Sequence, residues 1–206
     1  MGAGRGVSLI STEIIVLRFA GHRLPHALAS LPTADGAAGI NAVMQRVRRL
    51  IIVGSDADLA TVLSRLMRAE RLDIEVAHVP GRRGARRALN GVASRVPLIR
   101  DDTATALVGV AWWLPPEGSP AIRGEAVVDD AVLFDGDAAA VRIEPTLAMP
   151  GLKATMPGRV PRRWLAGRAV QLGTTGARVV RDGVEGPREV TRSTFYRHTT
   201  GWLRVG

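Results

Sequence analysis

Leu50-Ile51-Ile52-Val53 runs straight into Gly54-Ser55-Asp56-Ala57-Asp58, and the next apolar positions recur at Leu59, Val62, Leu63, Leu66 and Met67. A short apolar run, a small acidic turn and then spacings of three and four predict a strand, a tight turn and a helix. That sequence of elements opens a βα unit, so part of the chain must form an α/β layer. The turn lies at the carboxyl end of the strand, where open α/β sheets hold ligands. Asp56 and Asp58 also have a local role open to them. A short side-chain oxygen at this point accepts the first free N–H groups of a helix.

Other segments fit around this unit. Ile14 to Leu17 reads as a strand, and Leu31 to Gly39 as a loop rich in Gly, Pro and Asp. Ile40 to Arg48 predicts a short helix, 49–53 a strand and about 56–70 its helix. Ile74 to Val79 is the next strand, closed by Pro80-Gly81, and Arg82 to Ser94 is helical in pattern. Beyond residue 95 helical spacing stops. Short alternating segments take over at 104–113, 121–128, 131–134, 140–144, 164–172, 177–181, 188–196 and 201–205. Turns are expected at Pro115-Pro116-Glu117-Gly118 and Asp135-Gly136-Asp137. The fold class predicted is α+β. A partial, Rossmann-like α/β domain over 48–97 precedes an all-β antiparallel sandwich over 98–206, and 1–47 is poorly defined.

Trp112 and Trp113 are adjacent, so they face opposite sides of a strand, one into the core and the other over an edge or cleft. His22 and His26 are four apart, but Pro25 lies between them and no glutamate completes a metal-binding helix. No metal site is assigned there.

The net charge of +9 points to an anionic partner. Nearly all of the basic residues are arginine, with Lys153 the only lysine, and abundant Ala, Gly and Val accompany them. Part of the basicity is therefore attributable to a GC-rich coding sequence. Aromatics make up only 4%, and no basic stretch is interleaved with them, which argues against a single-strand-binding surface; no specific nucleic-acid partner is expected. The absence of cysteine excludes disulfides, thiolate metal sites and a cysteine nucleophile. Val7 to Ala20 comes closest to a membrane span, but Glu13 and Arg18 interrupt it. The expectation is a cytoplasmic protein, with peripheral membrane association left open.

Three motifs carry a family resemblance. Val53-Gly54-Ser55-Asp56-Ala57-Asp58-Leu59 resembles the V-G-G-D-G-T-L signature of the diacylglycerol kinase and NAD kinase superfamily. Gly54 and Asp56 match; Ser55 and Ala57 stand for glycines and Asp58 for the threonine. Pro80-Gly81-Arg82-Arg83-Gly84-Ala85-Arg86-Arg87-Ala88-Leu89 is similar at both ends to I-P-x-G-T-G-N-D-x-A-R-x-L, with arginines in place of the G-T-G-N-D centre. Asp182-Gly183-Val184 resembles a D-G-E motif of the second domain, with Glu185 one residue late. The parts occur in the family's order over residues 48–206.

The resemblance implies a lipid kinase that uses ATP and Mg2+ to phosphorylate a lipid hydroxyl in a cleft between the two domains. It implies Asp56 and Asp182 as catalytic residues. Gly54, Ser55, Asp58, Arg82 and Arg83 would bind the nucleotide. Nucleotide, and anionic lipid or a membrane surface, are the implied partners. The local alternatives stay open: Asp-Gly is a common hairpin turn, and Arg82, Arg83, Arg86 and Arg87 can be a solvated helix face. The departures from the motifs favour a second reading, a non-catalytic relative that binds a nucleotide, an acidic lipid or a protein.

Overall fold

The computed structural model describes residues 14–81, 83–158 and 163–206. Its first layer is built from β1 (Ile14–Arg18), β2 (Thr33–Asp35), α1 (Ala38–Val43), β3 (Arg49–Val53), α2 (Asp56–Arg68), β4 (Glu75–Val79), α3 (Ala85–Asn90) and β5 (Ala93–Val96). β2, β1, β3 and β4 pair in parallel. All five residues of β3 are buried because both faces of the sheet are covered. Leu50 and Ile52 meet Leu59, Val62, Leu63 and Leu66 in one core. Ile51 and Val53 lie in the other, with Ala85, Ala88 and Leu28. The Arg49 guanidinium is buried beside them. It pairs with Glu75 at 2.6 Å and donates to the carbonyls of Ala88, Leu89 and Gly91, which closes the end of α3.

The second layer comprises β6 (Ile99–Asp101), β7 (Ala106–Leu107), β8 (Ala111–Leu114), β9 (Ile122–Val128), β10 (Ala131–Ala138), β11 (Val141–Pro145), β12 (Leu152–Thr155), β13 (Leu165–Gly167), β14 (Ala169–Arg181), β15 (Val184–Glu185) and β16 (Val190–Arg197). Its pairings are antiparallel, in the order β13-β12-β11-β8-β14-β16-β6-β7, with β9 on β14, β10 on β9 and β15 on β14. The thirteen residues of β14 bridge two groups of strands. Its first part pairs with β16 and β9, its last part with β8. The buried Trp113 lies 6.0 Å from Phe195, ring centre to ring centre, and its indole N–H donates to Ser193. Trp112 is the half-exposed partner that the alternation of strand residues requires.

The α+β class and its order, α/β before all-β, match the expectation. The division of residues does not. β1 and β2 place Ile14–Arg18 and Thr33–Asp35 in the parallel sheet, so the described part of 1–47 is integral to the α/β layer. β17 (Trp202–Val205) returns from the antiparallel layer and inserts between β4 and β5, parallel to the first and antiparallel to the second. The first sheet therefore reads β2-β1-β3-β4-β17-β5, and residues 202–205 belong to it.

Several local expectations are also corrected. The helix expected over 82–94 is confined to Ala85–Asn90, because Gly84 is left-handed at φ 97° and Gly91 leaves the helical region. Val92, beyond the end of this helix, is 81% exposed. The helix expected over 40–48 runs over Ala38–Val43. Asp135-Gly136-Asp137 is not a turn but lies within β10, and the reversal falls at Asp129-Asp130. The strand expected over 104–113 is broken between Leu107 and Ala111. β12 has no counterpart in the sequence reading.

Candidate functional site

The start of α2 is set by a capping box. Ser55 Oγ accepts from the Asp58 N–H at 3.2 Å, and Asp58 Oδ2 accepts from the Ser55 N–H at 2.7 Å and from its hydroxyl at 2.8 Å. Gly54 is required by that packing, since a Cβ there would stand 2.8 Å from Asp58 Cβ. Asp58 is thus occupied with the helix start, and the Ser55 N–H expected to meet phosphate is already bonded. His22 Nε2 stands 3.9 Å from Asp58 Oδ2.

Asp56 sits one residue past the cap, its side chain 51% exposed. Among the described residues its carboxylate accepts no hydrogen bond. His78, at the end of β4, reaches it from the neighbouring strand. Its Nε2 is 2.9 Å from the Gly54 carbonyl, an acceptor, so that nitrogen carries the proton. Its Nδ1 lies 3.7 Å from Asp56 Oδ1.

Asp182 comes from the other layer. With φ 49° at Asp182 and φ 82° at Gly183, the pair forms a left-handed two-residue turn between β14 and β15, so the hairpin reading holds. The side chain has a further role. Oδ1 accepts from the N–H groups of Gly109 and Val110, at 2.7 and 3.0 Å, and Oδ2 from that of Val108 at 3.0 Å. These bonds occupy the segment that interrupts the strand expected over 104–113. Burial raises the Asp182 pKa above the usual aspartate value. The three N–H groups oppose this, and the charge of Asp56 adds to it.

Gly109 lies between the two acids. A Cβ there would be 2.6 Å from Asp56 Oδ2 and 3.2 Å from Asp182 Oδ1. The two predicted catalytic residues, 126 positions apart in sequence (182 minus 56), therefore converge on one glycine. A cleft of about 800 Å³ opens beside Asp182 and is lined by Thr61 on α2 and by Thr103, Arg181, Arg188 and Arg192 of the other layer. Sequence reading missed the buried Asp101, which holds three residues of that lining. Asp101 accepts from Thr103 and Thr105 and pairs with the Arg181 guanidinium. A carboxylate beside a Thr-x-Thr turn is too common a pattern to have marked it. Glu185 pairs with Arg178 at 3.0 Å.

The arginines gather elsewhere. Arg82 lies outside the described residues. Arg83 is exposed and precedes α3, so it does not share a helix face with Arg87. Arg83, Arg86, Arg87, Arg23 and His26 line a cavity of about 1130 Å³. Among the described residues, none of these four arginines has a carboxylate partner. Neither Asp56 nor Asp182 is among the residues that line this cavity. Arg23 also borders a groove of about 700 Å³ at the ends of β1 and β2, which contains His22.

Among the described residues no group of three or more His, Asp or Glu side chains is placed to hold a metal ion. Mg2+ commonly takes one or two carboxylates plus substrate phosphates. Asp56 fits that pattern as a single carboxylate, whereas Asp182 is committed to main-chain donors.

No family model and no curated protein matches the sequence. Solved structures do match the fold. A Bacillus anthracis str. Sterne protein provisionally assigned as a diacylglycerol kinase superimposes with TM-score 0.74 at 9% identity, over 94% of this chain and 96% of that one. An NAD kinase from Archaeoglobus fulgidus in complex with ATP gives TM-score 0.62 at 12% identity, over 94% and 93%. A yeast NADH kinase complexed with NADH gives 0.59 at 8%, over 94% and 83%. The chain has the two-domain fold of these structures.

Proposed function

We propose that this protein is a diacylglycerol-kinase-like phosphotransferase that phosphorylates a lipid hydroxyl between its two layers. The observation that carries this reading is the convergence of Asp56 and Asp182, one from each layer, on Gly109. Asp56, half-exposed and without a hydrogen bond among the described residues, is the group that takes the acceptor proton or meets the metal. Asp182 is a positioning residue that holds 108–110 against Asp56. Bound ATP would supply the phosphoryl group, and Mg2+ would neutralise phosphate charge. Arg83 and Arg23, with Arg82, are suited to the phosphates. The Gly54-Ser55 turn is less suited, because the Ser55 N–H is already bonded. The fold is shared with kinases solved with ATP and with NADH, which supports nucleotide binding here. No helix among the described residues is long and apolar enough to cross a membrane, and the lipid acceptor would be met at a membrane surface.

The occupied Ser55 N–H and the saturated Asp182 carboxylate favour a second reading, a non-catalytic relative that binds a nucleotide or acidic lipid. Calorimetric titration with ATP, and transfer of labelled phosphate to diacylglycerol in mixed micelles, separate the two. Under the first reading Asp56→Asn lowers turnover by about 10²–10⁴-fold, and Gly109→Ala lowers it by displacing Asp56. ATP binding without transfer to any lipid alcohol establishes the second reading. No affinity for ATP, ADP or anionic lipid at low salt overturns both.

A further inference from the structure

The outer face of the antiparallel layer collects residues that are far apart in sequence. Trp112 on β8, Arg142 and Glu144 on β11 and Lys153 on β12 point away from the core, because Ala111, Trp113, Val141, Ile143, Leu152 and Ala154 beside them are buried. Pairing sets Arg142 opposite Trp112 and Lys153 opposite Glu144. The Arg142 guanidinium lies 5.5 Å from the Trp112 ring, and the Lys153 ammonium lies 4.3 Å from the ring of Trp164, next to β13. Glu144 is bridged by both Arg142 and Lys153, at 2.5 and 2.9 Å. The stripe therefore presents aromatic surface with a surplus of positive charge.

The same β-hairpin ends in an apolar tip. Between β11 and β12, Leu147 is 60% exposed and Met149 68%, with Ala148 exposed between them. Arg197 donates to the Pro150 carbonyl at 2.9 Å, which holds another cation at the base of the tip.

We propose that this hairpin and stripe form the surface by which the protein docks on an anionic lipid bilayer. Leu147 and Met149 enter the acyl boundary. Trp112 and Trp164 lie at headgroup level, the position that amphipathic rings favour. Arg142, Lys153 and Arg197 meet the anionic headgroups with their stems along apolar surface. A polyanionic strand would use the rings and cations but would leave the apolar tip without a role. The proposal deepens the lipid-directed reading above and rests on it for its purpose, but vesicle binding is measured without nucleotide or turnover, so either can fail alone.

The test is co-sedimentation of the full chain with vesicles of phosphatidylcholine alone and of phosphatidylcholine mixed with phosphatidylglycerol. Binding should be confined to the anionic vesicles, weaken as salt rises and shift tryptophan emission to the blue. Leu147→Ser with Met149→Ser should reduce partitioning by about tenfold or more, since each buried side chain of this size is worth roughly that factor. Lys153→Gln should reduce it about fivefold. Val132→Ser, an exposed apolar position on β10, should leave it unchanged. Leu147, Met149 and Val132 are exposed, and the glutamine of Lys153→Gln keeps a donor for Glu144, so the variants should keep the wild-type melting temperature. No vesicle binding at low salt overturns the proposal. So does equal binding by the tip variant, or displacement from vesicles by single-stranded poly(dT) at matched charge.

Discussion

Asp182 carries a carboxylate that is partly withdrawn from water yet bonded to three main-chain N–H groups. Its raised pKa means that the folded chain holds this proton more tightly than the unfolded chain does. The residue's contribution to stability is therefore complete below the ordinary aspartate range, near pH 4, and is lost as pH rises through the higher folded value. Urea denaturation of the wild type and of Asp182→Asn over a pH series measures this. The stability difference, wild type minus variant, should fall as pH rises above about 4, and a flat difference would remove burial as the cause. Asp182→Ala should cost about 1–3 kcal/mol, because it leaves three N–H groups without their acceptor.

Among the elements, the start of α2 is a turn whose donors are met locally. Ser55 and Asp58 satisfy each other's N–H groups, so the turn closes on itself. Ser55→Ala should lower unfolding stability by about 1 kcal/mol while leaving ATP affinity unchanged in calorimetric titration. A loss of affinity larger than the loss of stability would return the Ser55 N–H to the phosphate. The six-residue α3 differs. It begins after a left-handed Gly84 and is held at its far end by Arg49, and its arginines line the cavity as side chains with no long helix dipole behind them.

At the scale of the molecule, the two layers are tied by the path of the chain. β17 lies between β4 and β5 with Trp202 and Val205 buried, so the first sheet is completed only after the whole antiparallel layer has been made. Residues 14–97 expressed alone would expose the facing edges of β4 and β5 and should be insoluble or lack a cooperative melt in circular dichroism. Adding the 198–206 peptide should recover cooperativity. A stable, monomeric 14–97 fragment would count against this dependence.

By itself the sequence determined the βα unit around Gly54-Ser55-Asp56, the change from helical to alternating spacing and the Asp182-Gly183 turn. Each rests on neighbours a few residues apart, and local sterics and hydrophobic period decide such features. It also identified Asp56 and Asp182 as the acids to watch, through motifs matched position by position. Only the tertiary structure decided that Asp182 bonds residues 108–110 and that the arginines open into a separate cavity. It alone decided that β1, β2 and β17 complete the first sheet. It also brought Trp112, Arg142, Lys153 and Trp164 onto one face, where the sequence showed no mixing of basic and aromatic residues. Those outcomes depend on strand order and register, and pairing between distant segments is set by packing of the whole chain rather than by any local preference.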